Sequence, residues 1–204
     1  MKFITSILFV LLTTLSFAFE GTIHCVKTEN GVVTKFDFYV KGNTIVVEKR
    51  GIGEYYKIIF NRDKQEVKIC LESPQFSQKG YYLLTKADME NSPQSKIYSQ
   101  KELAPQQVGE VSFKAYSLVS DLGSVIGLVG EDQVDLRGLS TFFQDPVYEL
   151  IDQFNLSQLP RKLEVTKNTG NYTIELEAEA GNVNQSLCEV PAGYTQFQVT
   201  ALVK

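Results

Sequence analysis

The sequence predicts a mainly β (α+β) protein: a large curved antiparallel sheet, or an unclosed β-barrel, wrapping around one main helix at about residues 145–155. Three observations carry this. Short runs of alternating apolar and polar residues recur from Gly21 to Glu179, punctuated by turn residues. No helical crossover separates them, so consecutive strands pair antiparallel. One segment, QDPVYELIDQF at 144–154, instead repeats its apolar residues at unambiguous helical spacing.

The chain opens MKFITSILFVLLTTLSFAFE, with Lys2 ahead of an uncharged apolar run and then Ser16-Phe17-Ala18. This is the layout of a secretory signal peptide, with cleavage expected after Ala18. Residues 1–18 are therefore the leader and 19–204 a single domain. The apolar run is short for a membrane helix, and no later stretch approaches the roughly 20 apolar residues that one needs. The expected product is a periplasmic or secreted monomer without a transmembrane segment. A formal net charge of −4 and a pI near 5.2, with no basic stripe, exclude nucleic acid as the expected partner.

Strands follow in order. Residues 21–27 and 32–40 flank Asn30-Gly31, a pair that tolerates the left-handed backbone of a tight hairpin. Phe36, Phe38 and Val40 then share a face. Lys41-Gly42-Asn43 turns the chain into TIVVEK, and Gly51-Ile52-Gly53 turns it into EYYKIIF. QEVKICL sets Val67, Ile69 and Leu71 against Glu66, Lys68 and Cys70, a half-buried strand. After GYYLL the pattern dissolves into a polar loop at about 86–108, long enough to be mobile or functional, or to lie across the open end of the sheet. Pairing resumes at 111–120 and 124–130, and again in RKLEVTK and YTIELEAE around Asn168-Thr169-Gly170-Asn171. The sum is about eight to eleven strands, and a sheet that large must curl or split.

The helix can now be placed. Asp145 suits the N-cap and Pro146 the first helical position, after which Val147, Leu150, Ile151 and Phe154 make one apolar stripe. Burying each of those side chains is worth about 1.5 to 3 kcal/mol. Ordering each backbone residue costs about 1 to 2 kcal/mol, so the helix does not persist alone. Its stripe is expected against the concave face of the sheet.

The search for chemistry is short. His24 is the single histidine, and its neighbour Cys25 points to the opposite face of a strand, so the two do not form a nucleophile and base pair. Gly51-Ile52-Gly53 lacks the third glycine of a dinucleotide loop. Glu131, Asp132 and Asp135 miss the calcium-loop spacing and read as a solvated acidic turn. Gly123, Gly127 and Gly130 sit among aliphatic residues, where glycine permits bulges or close packing. Cys25, Cys70 and Cys188 form no CxxC pair; export allows one disulfide with one leftover thiol, and burial statistics favour three small apolar strand residues. The expectation is no enzyme, no cofactor and no metal.

FEGTIHCVK after the leader, the YVKGNTIVVEK hairpin, LPRKLEVT after the helix and the closing CEVPAGYTQ together resemble DUF 4412, an exported bacterial family of unknown function. The chain departs from that pattern at Cys188, where an aromatic residue is more usual, and in its terminal QFQVTALVK. The family is similar in organisation to the periplasmic lipoprotein carriers LolA and LolB, in which an unclosed barrel covers helices and apolar cargo. The resemblance implies a LolA-like fold and an envelope address, and brings no catalytic residues.

The functional expectation is a hydrophobic ligand, a lipid or lipidated partner, held between sheet and helix. Its lining would be Phe36, Phe38, Tyr81, Val147, Leu150, Ile151 and Phe154, around a void of roughly 300 Å³ or more. The rival is an envelope protein-interaction or structural module with a filled core, using the 86–108 loop or an edge strand.

Overall fold

The computed structural model describes residues 19–51, 54–72, 79–90 and 92–197. The expected leader and its expected cleavage site, positions 52–53 of the Gly51-Ile52-Gly53 turn and the last residues of the terminal extension lie outside these.

The described chain is mostly β. Its strands are β1 (Gly21–Glu29), β2 (Val32–Lys41), β3 (Thr44–Gly51), β4 (Glu54–Asn61), β5 (Glu66–Glu72), β6 (Gly80–Thr85), β7 (Ile97–Val108), β8 (Val111–Ser120), β9 (Gly123–Val129), β10 (Pro160–Lys167), β11 (Gly170–Ala180) and β12 (Thr195–Phe197). The main helix is α2 (Pro146–Gln153), preceded by the one-turn α1 (Lys86–Met89). One sheet contains all twelve strands, in the order β12-β6-β5-β4-β3-β2-β1-β11-β10-β9-β8-β7. Every pairing is antiparallel except β12 on β6, and the sheet does not close.

The sheet must be strongly curved. β4 and β8 stand seven places apart in strand order, about 34 Å along a flat sheet at the usual spacing. Yet Phe60 of β4 and Leu118 of β8 belong to one buried cluster with Ile23, Leu150, Ile151 and Leu163. That is possible only if the two halves face each other across a hollow. The cluster also receives Leu84 near one edge and Ile97 of the other, so the chain between β6 and β7 spans the gap.

α2 begins and ends as its residues require. The Asp145 carboxylate accepts from the Val147 N–H at 2.9 Å, and Pro146 occupies the first turn. At the other end Asn155 takes a left-handed backbone with φ 50°. The Leu156 N–H then reaches the Ile151 carbonyl at 2.9 Å and the Asn155 N–H the Asp152 carbonyl at 3.1 Å, a Schellman stop. The helix is thus 146–153, with Phe154 as its C-cap, slightly shorter than the expected 145–155.

Two sequence expectations need correction. The polar segment 86–108 is a loop only in part, since residues 97–108 form β7, paired to β8 with irregularities at Ile97/Ser99 and Leu103/Gln106. Its polarity reflects an edge position with mostly exposed side chains, and Pro105 is tolerated inside the irregularity. The acidic turn at 131–135 is not merely solvated: Asp135 accepts from Arg62 Nη1 at 2.6 Å and Arg137 Nε at 2.8 Å, fastening the loop to the end of β4 while Val134 and Leu136 are buried. The turn is a tether because the Arg62 guanidinium, at the end of β4, binds the Asp135 carboxylate, which Arg137 of the same loop holds in place.

Candidate functional site

The hollow is divided by the position of α2. The helix packs over β8, β9 and β10, with Leu150 and Ile151 fully buried and Val147 nearly so. Phe154, half-buried, stacks on Tyr116 of β8 with ring centroids 4.8 Å apart. These four side chains are therefore core, as the stripe demanded, and three of them have little surface left for a ligand.

The opposite wall is different. Pairing places Phe36 and Phe38 of β2, Ile58 of β4 and Ile69 of β5 on the concave face, and each stays only half-buried against the core. The Phe36 and Phe38 rings lie 5.4 Å apart. Tyr148 leaves α2 on this side, near Cys25 and Tyr56; burial above all, then the charge of Asp145, pushes its phenol well above the ordinary range. A neutral, apolar wall results.

Tyr81 does not belong to it. β6 pairs with β5 so that Leu84 faces Val67, and one residue out of that phase Tyr81 faces Cys70 on the convex side. There it packs with Val46, Ile59 and Cys70, and its hydroxyl donates to Gln196 Oε1 at 3.1 Å. Tyr82 carries the aromatic group on the concave side, with its ring 5.4 Å from Phe197.

The convex side is itself covered. Cys188, Val190 and Tyr194 lie over Val46, Ile59 and Cys70, pinned by Lys57 Nζ donating to the Glu189 carbonyl at 2.9 Å and Tyr194 Oη to Glu72 at 3.1 Å. Cys70, on the face opposite Val67, is therefore buried as completely as Val67. All three cysteines are free thiols. Burial pushes Cys25 up to about 12 and Cys70 up to about 11, which makes both inert at neutral pH.

His24 sits on the convex face between Asp37, 2.9 Å from Nδ1, and Glu179, 3.1 Å from Nε2. Glu179 first and Asp37 second raise its pKa. The arrangement clamps three neighbouring strands together and leaves Cys25 on the other side of the sheet.

A second concavity was not foreseen. The chain from α1 to β7 and the polar side of α2 enclose a cleft of about 470 Å³ lined by Ser95, Ser140, Thr141, Gln144, Glu149 and Gln153 among others. It differs from the anticipated void in being walled mostly by polar groups. Gln144 spans the two sides, its amide donating to the Pro93 carbonyl at 3.1 Å. Glu149 is almost wholly buried, and Ser120 Oγ donates to its Oε2 at 2.6 Å. Burial raises the Glu149 pKa against the lowering effect of that hydrogen bond. In the sequence Glu149 and Gln153 are four apart on the helix and share the flank beside the apolar stripe, a spacing that a solvated helix face shows equally.

No family model matches the chain, and no curated relative matches it. Among solved structures, one described as PNGF-II in the C2 space group superposes with a TM-score of 0.52 at 10% identity, covering 90% of this chain and 32% of that one. The chain thus spans about a third of the length of that neighbour, and the likeness is one of fold. A DUF1329 family protein from Desulfovibrio piger ATCC 29098 matches at 10% identity with a TM-score of 0.27, covering 86% of this chain and 92% of that one. A large, mostly antiparallel sheet left open around one main helix is the architecture of this chain.

Proposed function

We propose that the protein is an exported, non-enzymatic module of the periplasm or extracellular space that takes an acyl chain, free or on a lipidated partner, against the half of the hollow not covered by α2. One observation carries this reading: α2 lies over β8 to β10, while Phe36, Phe38, Ile58 and Ile69 on the facing wall remain only half-buried. Apolar surface of that kind gains about 25 cal/mol for each Å² a ligand removes from water. The leader-like start and the phrases that resemble DUF 4412 support the envelope address. The test is native mass spectrometry of protein purified from its own host, with uptake of a fluorescent fatty acid by the apo form. Co-purified lipid, and uptake reduced at least about tenfold by Phe38→Asp with α2 intact, are expected. A clean apo mass together with no uptake would end the reading.

A second reading, a protein-interaction module with a filled core, is favoured by the β7–β8 hairpin, where Tyr98, Val108 and Val111 are all more than half exposed on or beside the edge of the sheet. Charge substitutions at Val108 and Val111 separate the two: they leave acyl-chain uptake unchanged and abolish capture of a protein partner.

A further inference from the structure

The cleft beside α2 has a chemistry that neither the acyl-chain wall nor the hairpin explains. Ser95, Ser140 and Thr141 present hydroxyls, and Gln144 and Gln153 present carboxamides. Each such group carries both a donor and an acceptor, and so matches ligand groups that carry both. Met89 and Ile97 add a small apolar surface to the same lining. Among the lining residues the one cationic side chain, Lys86, is outnumbered by Glu90 and Glu149, which disfavours an anion. We infer that this cleft binds a neutral saccharide unit, with Glu149, Gln153 and Ser140 hydrogen-bonding its hydroxyls and Met89 and Ile97 meeting the C–H face of its ring.

The arrangement is built rather than incidental. Glu149, which lines the cleft, has its carboxyl held by the Ser120 hydroxyl at 2.6 Å. The outer wall is fastened to the rest of the chain by the Lys96 N–H on Asp121 at 3.0 Å and by the Gln144 amide on the Pro93 carbonyl at 3.1 Å. A volume of about 470 Å³ lies within the range of small-ligand sites.

Saturation-transfer NMR on the full mature chain tests this, with glucose, galactose, N-acetylglucosamine, maltose and diacetylchitobiose as probes and spermidine as a cationic control. At least one sugar should receive saturation, with backbone amide shifts confined to 92–97 and 139–153. Gln153→Ala and Ser140→Ala, each changing a side chain that is not buried, should weaken that binding about tenfold, the scale of one or two lost hydrogen bonds. Fatty-acid uptake should be unchanged in both variants, so loss of the sugar site and loss of the acyl-chain wall are distinguishable. Absence of transfer to every sugar, transfer that survives both substitutions, or saturation of spermidine in place of the sugars would each overturn the inference.

Discussion

Leu150 of α2 rests directly over Gly127 of β9: a Cβ at Gly127 would stand 3.2 Å from the Leu150 Cδ2 methyl and 3.3 Å from Leu163. Glycine is what lets the helix approach the sheet this closely, and Leu150 fills the space so made. Leu150→Ala should therefore cost about 2 to 5 kcal/mol, and Gly127→Val about 1 to 3 kcal/mol by overpacking. Urea unfolding of both variants measures this; a loss below about 0.5 kcal/mol for Leu150→Ala would mean that α2 is not seated in the hollow.

The two faces of the sheet predict different thiol behaviour. Cys188 is partly accessible, Cys70 is buried beneath the 188–194 cover and Cys25 is buried in the hollow. Iodoacetamide should label Cys188 in the native protein, spare the other two, and label all three after denaturation. Truncation before Val183 should expose Cys70 while Cys25 stays protected. Peptide mapping reads this, and simultaneous exposure of Cys25 would show that the cover and the hollow unfold together.

Much of this architecture was legible in the residues. Strict alternation gave most of the strands, Asn30-Gly31 gave a hairpin with φ of 51° and 76°, and the Val147, Leu150, Ile151 stripe gave the buried side of α2. What escaped has physical causes. β7 is an edge strand, so its polar side chains carry no burial pattern to detect. Tyr81 was misplaced because a one-residue phase decides its face and the parity of β6 was set only by pairing with β5. The convex cover was invisible because Cys70 shares its face with Glu66 and Lys68, and a distant segment covers only one end of that row. The cleft beside α2 went unseen because neutral polar residues look alike whether they face solvent or a ligand.

The His24 clamp makes a small contribution that depends on pH. Its pKa is raised by Glu179 and then Asp37, so the folded state holds the proton more tightly than the unfolded chain. That stabilisation is complete below the unfolded value near 6.5 and is lost as pH rises through the folded value. His24→Gln should lower stability at pH 5 and leave it nearly unchanged above the folded value. His24 is about half exposed, so the gap should stay within the few tenths of a kcal/mol typical of solvent-screened pairs. Chemical denaturation across that range decides it, and a gap of equal size at both ends would assign the effect to packing.

Glu149 shifts stability in the same direction with pH, but as a penalty that grows where the His24 clamp is a gain that fades. Burial raises its folded pKa above the ordinary 4.5, with Asp121 and Asp145 adding to the rise and Ser120 opposing it. Below the unfolded pKa both states are protonated and the group is neutral in its effect on folding. As pH climbs between the two values the unfolded chain ionises first, so the folded state loses ground. Above the folded pKa the penalty is constant. Glu149→Gln removes that penalty and retains an acceptor for the Ser120 hydroxyl. It should therefore be more stable than the parent at pH 7 and no more stable near pH 4, as read by urea unfolding of the pair at both values. Other carboxylates, including Glu20, Glu72 and Asp88, have lowered pKa values and destabilise both proteins together in acid, so the informative quantity is the difference between the two. Ser120→Ala should enlarge the penalty at pH 7, because it withdraws the one hydrogen bond that favours the ionised form. A Gln variant less stable than the parent at neutral pH would show that the carboxylate is compensated in the folded state, and that its charge is an asset there.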